Sequence, residues 1–172
     1  MPATKRPPIP IPLQVQVYFR DAWLCHVCRK PVIFHLSLKH LAGLVQQRLP
    51  GATLAYWDRT WRRDQAPLLD ELAASIDHIE AFSRGGVHGL DNFATICARC
   101  NARKSARSRE SFVTLSQPWK VKGKHGEPVH WDGLASAFVA LARDRMNSLS
   151  ATERKWLAAL EQYWESAANE QK

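Results

Sequence analysis

The chain has 172 residues, of which 45% are apolar, and it contains seven tryptophans and ten prolines. A chain of this length can bury roughly two thirds of its unfolded surface, so it supports a folded core without disulfide bonds. This composition excludes a disordered chain. The apolar stretches fall well short of the ~20 residues that cross a bilayer, so we expect no membrane partner.

The chain is basic, with 24 Lys and Arg against 16 Asp and Glu and a net charge of +8. Residues 1–110 hold 16 basic and 9 acidic residues, whereas residues 111–172 hold 8 and 7. The densest basic run comprises Arg99, Arg103, Lys104, Arg107 and Arg109. Such a run suits a phosphate backbone, because each phosphate that is neutralised releases condensed counterions. A solvated helix face explains the same run equally well.

Residues 1–13 are rich in proline and predict an extended arm. They lack the continuous apolar run of a secretory signal, so we expect a cytoplasmic, reducing environment. Residues 14–19 alternate apolar and polar side chains, which suits either a short strand or a first helical turn.

Apolar spacing predicts a helix at 36–48. We also expect a strand at 74–79, which a glycine turn ends, an extended segment at 93–96 and a helix from about 98 to 112. Residues 116–130 have the composition of a linker. Beyond them, residues 131–172 predict a helical hairpin, in which Ser150 and Glu153 form a capping box at the start of the second helix.

The four cysteines form two CxxC pairs, Cys25/Cys28 and Cys97/Cys100, with none left over. Two residues between cysteines allow both thiolates to bind one tetrahedral ion, so the expected cofactor is structural Zn²⁺. An iron–sulfur cluster, a redox pair and buried thiols are the alternatives. His26 lies between the first two ligands, where it is either a substitute ligand or a surface residue.

Several motifs occur in order between residues 75 and 104, and together they are specific. They are Asp77-His78-Ile79, Ser83-Arg84-Gly85-Gly86, Leu90-Asp91-Asn92-Phe93 and Cys97-Ala98-Arg99-Cys100-Asn101-Ala102-Arg103-Lys104. This pattern resembles the HNH, or ββα-metal, endonucleases. The resemblance covers residues 15–110 with an insertion at about 30–74, and it does not extend to residues 111–172.

The resemblance implies a role for each matching residue. His78 would be the general base, and Asp77 and Asn101 would bind the catalytic divalent cation. Asn92 would hold the loop that orients the histidine. Arg84 would stabilise charge on the phosphate, and the basic run would contact DNA, although ordinary solvent exposure explains these cations equally well.

One departure from the family lettering is Asn101, since many members have histidine at this position. Carboxylate and amide oxygens favour Mg²⁺ or Mn²⁺ over zinc or nickel. The same departure is compatible with weakened or lost activity. His88, in a glycine-flanked turn, is either an extra ligand or an ordinary loop residue.

The sequence therefore predicts an α+β protein with a ββα-metal core at 14–115, stapled by a four-cysteine zinc site and followed by a C-terminal helical hairpin. The expected function is metal-dependent hydrolysis of double-stranded DNA. The alternatives are a zinc-ribbon module that binds nucleic acid without cutting it, and a structural subunit of a larger assembly. The oligomeric state stays open.

Overall fold

The computed structural model describes residues 7–51, 71–104, 122, 124–127 and 129–170. Along these ranges lie helices α1 (Ile11–Arg20) and α2 (His35–Arg48), strands β1 (Ala74–His78) and β2 (Phe93–Cys97), and helices α3 (Ala98–Lys104), α4 (Ala135–Arg143) and α5 (Ala151–Glu170). The strands pair antiparallel, so the fold is α+β as the sequence predicts. No helix within these ranges is long and apolar enough to cross a bilayer.

Helix α1 settles the choice that the alternating pattern at 14–19 leaves open. It begins at Ile11, within the segment expected to be an extended arm, and Pro12 lies in its first turn. Proline is tolerated there because the first amides of a helix have no intrahelical acceptor. Helix α1 packs against α5 and β2 and buries Val15, Val17 and Tyr18. The alternating pattern at 14–19 is therefore part of a helix and not of a strand.

Strands β1 and β2 form a hairpin in which Ala74 pairs with Cys97 and His78 pairs with Phe93. The connection contains two short 3-10 turns, Phe82–Arg84 and Leu90–Asn92. Between them, Gly85 takes a left-handed backbone angle (φ +88°). A Cβ atom on Gly86 would lie 2.1 Å from the carbonyl oxygen of Glu80, so only glycine allows this close approach. Both predicted strands, and the glycine break between them, are confirmed.

Aromatic side chains from both ends of the chain form one core. Phe34 lies edge-on to Phe138 of α4, with ring centroids 5.2 Å apart, and 4.9 Å from Trp156 of α5. Tyr18 stacks on Trp23 at 4.7 Å. The C-terminal hairpin, which the sequence places beyond a linker, therefore packs directly on the N-terminal elements. Burial of these rings stabilises the folded state by about several kcal/mol.

The predicted capping box is confirmed, and it carries a further contact. Glu153 accepts hydrogen bonds from the backbone N and the Oγ of Ser150, at 2.8 and 2.6 Å, while its own N donates to that hydroxyl. Its other carboxylate oxygen contacts Lys39 Nζ at 2.8 Å and His40 Nε2 at 3.1 Å. Only 4% of Glu153 is exposed. This carboxylate therefore joins α5 to α2 through buried charge.

Gly133 lies where α4 approaches the core, and it allows a test of this packing. Its φ is +67°, and an added Cβ would lie 2.1 Å from Trp23 Cε3. Gly126 has a similar φ of +84° but nothing within 4 Å. We expect Gly126→Ala to lower the free energy of unfolding by about 1 kcal/mol through backbone strain alone. Gly133→Ala adds the clash and should lower it by about 3 kcal/mol, as measured by urea unfolding. Equal losses would contradict the assigned contact.

Glu153 predicts a pH dependence of stability. Burial alone would raise its pKa, but hydrogen bonds from Lys39 and Ser150 outweigh burial and lower the pKa to about 2, from an ordinary value of 4.5. The stabilisation is therefore present above pH 4.5 and is lost as the pH falls towards 2. We expect Glu153→Gln to lower the free energy of unfolding by about 2 kcal/mol at pH 7, and by progressively less below pH 4.5.

The control for this experiment is Glu165→Gln, which changes an exposed carboxylate on the same helix. It should change the free energy of unfolding by less than about 0.5 kcal/mol both at pH 7 and at pH 3. The difference between parent and variant, measured by denaturant unfolding at each pH, removes any acid effect that both proteins share. A Glu153→Gln difference that is constant from pH 7 to pH 3 would show that the carboxylate charge is not involved.

Candidate functional site

The two CxxC pairs meet, as the sequence predicts, although 68 residues separate them. The four Sγ atoms lie within 4.8 Å of one another, and Cys28 Sγ is 3.9 Å from Cys97 Sγ. An ion with four bonds of 2.3 Å sets tetrahedral sulfur–sulfur separations of about 3.8 Å. None of the four cysteines forms a disulfide. The cluster is thus positioned to hold a metal ion, and four sulfur donors suggest zinc.

Local backbone geometry explains how each pair points both sulfurs inward. In the first pair, the N–H of Cys25 donates to Lys30 O and the N–H of Arg29 donates to Cys25 O, so the chain makes a tight turn. In the second pair, Cys97 is the last residue of β2 and Cys100 lies in the first turn of α3. The backbone N–H of Cys100 donates to Cys97 Sγ at 3.4 Å.

Protonation of the thiols shows why the cluster needs a cation. Hydrogen bonds from Cys25 and Cys97 lower the pKa of the Cys28 thiol to about 2. Hydrogen bonding to Cys25 raises the pKa of the Cys97 thiol, and burial raises the pKa of Cys100 to about 12. The pKa of the Cys28 thiol is therefore shifted in the opposite direction from the pKa values of Cys97 and Cys100. Only a bound positive ion lets all four become thiolates.

The two CxxC segments, residues 25–28 and 97–100, are called the first and the second knuckle. Asp77 lies against α3, the helix that begins in the second knuckle, and it also contacts the first knuckle. Its Oδ2 is 3.3 Å from His26 Nε2 and accepts a hydrogen bond from Lys104 Nζ. The same ammonium donates to His78 O at 2.8 Å. Burial alone would raise the pKa of Asp77, but the hydrogen bonds from His26 and Lys104 lower it below its ordinary value. The carboxylate is therefore negatively charged at neutral pH.

Asn101 follows the second cysteine pair directly and lies on the exposed side of α3. Its Nδ2 donates to Ser75 Oγ at 3.3 Å. Ser75 and Asp77 are two residues apart on β1, so they share a strand face, and α3 contacts that strand. The predicted cation ligands Asp77 and Asn101 thus lie on facing elements. Their carboxylate and amide oxygens suit a hard divalent ion, so the donor types present fit the implied metal.

His78 makes a separate set of contacts. Only 1% of it is exposed, and its Nε2 is 3.3 Å from Nδ1 of His88. The ring lies edge-on to Phe93, with centroids 4.9 Å apart. Neighbouring residues of a strand point to opposite faces, which explains why Asp77 meets His26 while His78 meets His88. The nitrogen Nε2 of His88 is buried and has no hydrogen-bond partner among the described residues.

Asn92 closes the loop that follows His78. Its side chain accepts a hydrogen bond from the N–H of Glu80 at 2.7 Å and donates to Glu80 O at 3.0 Å and Val87 O at 2.7 Å. Both ends of its amide are thereby used in holding residues 80–92 together. A Cβ atom added to Gly86 would lie only 2.9 Å from Asn92 Nδ2. The glycine turn and the position of the asparagine therefore depend on each other.

The predicted nucleic-acid contacts fall into three groups. Arg84 and Arg103 are exposed on the surface. Arg99 is ion-paired with Glu71, and Lys104 is largely buried against Asp77. Arg107 and Arg109 lie outside the described residues. The sequence left two roles open for His26 and for His88, that of a metal ligand and that of an ordinary surface or loop residue. The position of His26 between Cys25 and Cys28 was the one sequence feature that indicated a fixed location for its side chain.

Loss of the metal should abolish the fold. A structural zinc contributes about 10 kcal/mol or more, which is comparable with the ~5–15 kcal/mol total stability of a domain. We therefore expect native mass spectrometry to find one zinc per chain, and Cys97→Ser to lose both the zinc and the cooperative thermal transition. A parent protein without zinc, or a Cys97→Ser protein that melts like the parent, would rule out the structural role.

Comparison with known proteins identifies the segment that carries this geometry. Residues 66–107 match the family model described as HNH endonuclease. No curated protein and no solved structure matches the chain. The matched residues include β1, the Asn92 loop, β2 and α3, together with the second cysteine pair. Residues 66–107 therefore resemble HNH endonucleases, and the cysteine pair in this segment forms, together with Cys25 and Cys28, a cluster positioned to hold a metal ion.

Proposed function

We propose that this chain is a metal-dependent DNA endonuclease with a ββα-metal core. The observation that carries the proposal is the sequence Asp77-His78 at the end of β1, on a hairpin that leads into α3 with Asn101 at its exposed side. The match of residues 66–107 to HNH endonucleases supports nuclease chemistry at the level of the family. The net charge of +8 favours a polyanionic substrate, for which we propose double-stranded DNA.

Asp77 and Asn101 would hold one Mg²⁺ or Mn²⁺ ion. The cation would offset negative charge on the scissile phosphate and on the leaving oxygen. In the described conformation, Lys104 supplies the positive charge that balances Asp77. Divalent-ion binding therefore competes with this ion pair, and the freed ammonium is then available to a substrate phosphate, the role expected from the sequence.

His78 would take the proton from the attacking water. Imidazole suits this task because it accepts and releases protons near neutral pH. Its Nε2 lies 3.3 Å from Nδ1 of His88 in the described conformation, so this contact must open if Nε2 is to accept the proton. Asn92 would be a positioning residue, because its hydrogen bonds hold the 80–92 loop that lies beside the histidine.

The exposed cations would bind the DNA backbone. Arg84 reaches solvent beside the loop, and Arg103 lies on the outer side of α3, so both are accessible to phosphates. We extend this role to Arg107 and Arg109 from the sequence alone. Arg99, paired with Glu71, would contact phosphate only after giving up that pair.

One observation favours a second function, a zinc-stabilised module that binds nucleic acid without cutting it. His78 is buried, and its Nε2 already faces another histidine. A chain that only binds needs no accessible base. The two functions differ in whether a divalent ion and His78 together produce strand breaks.

Cleavage of supercoiled plasmid tests the proposal. We expect the zinc-loaded protein to nick or linearise plasmid with Mg²⁺ or Mn²⁺, and His78→Ala to lower the rate by roughly two to four orders of magnitude. His130→Ala, which changes an exposed histidine outside the HNH segment, is the matched control and should retain the parent rate. Zinc content and DNA affinity should be equal in all three proteins.

Two results would decide against the proposal. If His78→Ala cuts as fast as the parent, His78 is not the general base. If the parent binds DNA but cuts with neither ion, the module that binds without cutting is the better description.

A further inference from the structure

His26 occupies a fixed position beside the proposed cation ligand Asp77. Its side chain is only 13% exposed, and its Nε2 lies 3.3 Å from Asp77 Oδ2. The backbone N–H of His26 donates to Thr95 O at 2.8 Å, so the first knuckle runs along the edge of β2. Cys25 and Cys28 flank the residue on both sides. Hence the zinc cluster and the sheet edge together hold this imidazole against Asp77.

The separation of the two atoms suits a shared ion. Ligands about 2.1–2.2 Å from an octahedral ion are about 3.0–3.1 Å apart along an edge. The observed 3.3 Å is close to this value and is slightly longer than the usual 2.7–3.2 Å of an N–H···O hydrogen bond. Lys104 already places a positive charge on the same carboxylate oxygen. Oδ2 of Asp77 therefore already accepts one positive group, the Lys104 ammonium, and an imidazole nitrogen lies within reach of the same oxygen.

We propose that His26 is a third ligand of the catalytic cation, beside Asp77 and Asn101. This inference rests on the proposed function, because it concerns the same divalent ion. Imidazole is a softer donor than carboxylate or amide oxygen, and along the series from Mg²⁺ to Mn²⁺, Co²⁺ and Ni²⁺ it binds with increasing preference. A site with two oxygens and one imidazole nitrogen therefore favours Mn²⁺ over Mg²⁺.

The location of His26 also links the two metal sites. The ligand that sets the ion preference lies within the zinc knuckle, so its position depends on the structural metal. Asn101 has the same dependence at the other knuckle, because it follows Cys100 in α3. The structural zinc thus positions ligands of the catalytic cation from both of its cysteine pairs.

Pulsed EPR of Mn²⁺ bound to the zinc-loaded protein tests the inference directly. Manganese binds thiolates weakly, so it reports on the second site without displacing zinc. We expect ¹⁴N coupling from a bound imidazole in the parent and in the control His130→Ala, and loss of that coupling in His26→Ala. Titration calorimetry should show the Kd for Mn²⁺ raised by about tenfold to a hundredfold in His26→Ala, and the Kd for Mg²⁺ raised less.

His26→Gln guards against misfolding of the knuckle, because it keeps the size of the side chain and supplies an amide oxygen. It should retain zinc, lose the ¹⁴N coupling and keep most of its Mg²⁺ affinity. If His26 only positions Asp77, the affinities for Mn²⁺ and Mg²⁺ would fall by the same factor, and this result would overturn the inference. Failure of the parent to bind Mn²⁺, or ¹⁴N coupling that persists in His26→Ala, would also overturn it.

These readouts separate the inference from the proposed function, since neither requires cleavage. A parent that shows the His26-dependent coupling but cuts no DNA supports the ligand assignment and contradicts the nuclease. A parent that cuts DNA with Mn²⁺ but shows no imidazole coupling supports the nuclease and contradicts the ligand assignment.

Discussion

The meeting of four cysteine sulfurs is the constraint on which the remaining structure depends. It ties residues 25–28 to residues 97–100 and thereby closes a loop of 68 intervening residues. A two-stranded hairpin is only marginally stable by itself. Here the cluster holds the end of β2 and the start of α3, so the short hairpin keeps its register. Four thiolates at this separation need a bound cation to offset their charge, so we expect folding and metal binding to be coupled.

The same junction arranges the residues of the candidate site. Cys97 ends β2, Cys100 lies in α3, and Asn101 and Lys104 follow on that helix towards β1. The first knuckle, which lies 51 residues earlier in the sequence than Asp77, brings His26 into contact with that carboxylate. Charges in the site balance, since Lys104 neutralises Asp77. The metal cluster therefore supplies geometry to the site next to it, beyond its contribution to stability.

The C-terminal helices complete the aromatic core of the domain. Phe138 and Trp156 close the aromatic core around Phe34, and Trp23 lies directly before the first knuckle in this same core. Gly133, just before α4, packs on the ring of Trp23. Because Trp23 is two residues before Cys25, this contact helps to hold the chain that leads into the first knuckle. The buried carboxylate of Glu153 adds a polar link between α5 and α2. The HNH segment thus relies on residues far outside the family match.

The sequence by itself determined those secondary-structure elements and side-chain clusters that have a local sequence pattern. Two CxxC pairs predicted the cysteine cluster, apolar spacing predicted α2, the glycine turn separated the segments predicted to be β1 and β2, and Ser150 with Glu153 predicted the start of α5. Spacing along the chain carries this information because each pattern depends on near neighbours. Only the tertiary structure decided that residues 11–20 are helical, that Asp77 meets His26 and Lys104, and that His78 meets His88. Those outcomes depend on which residues distant in sequence pack together, and no local pattern records that packing.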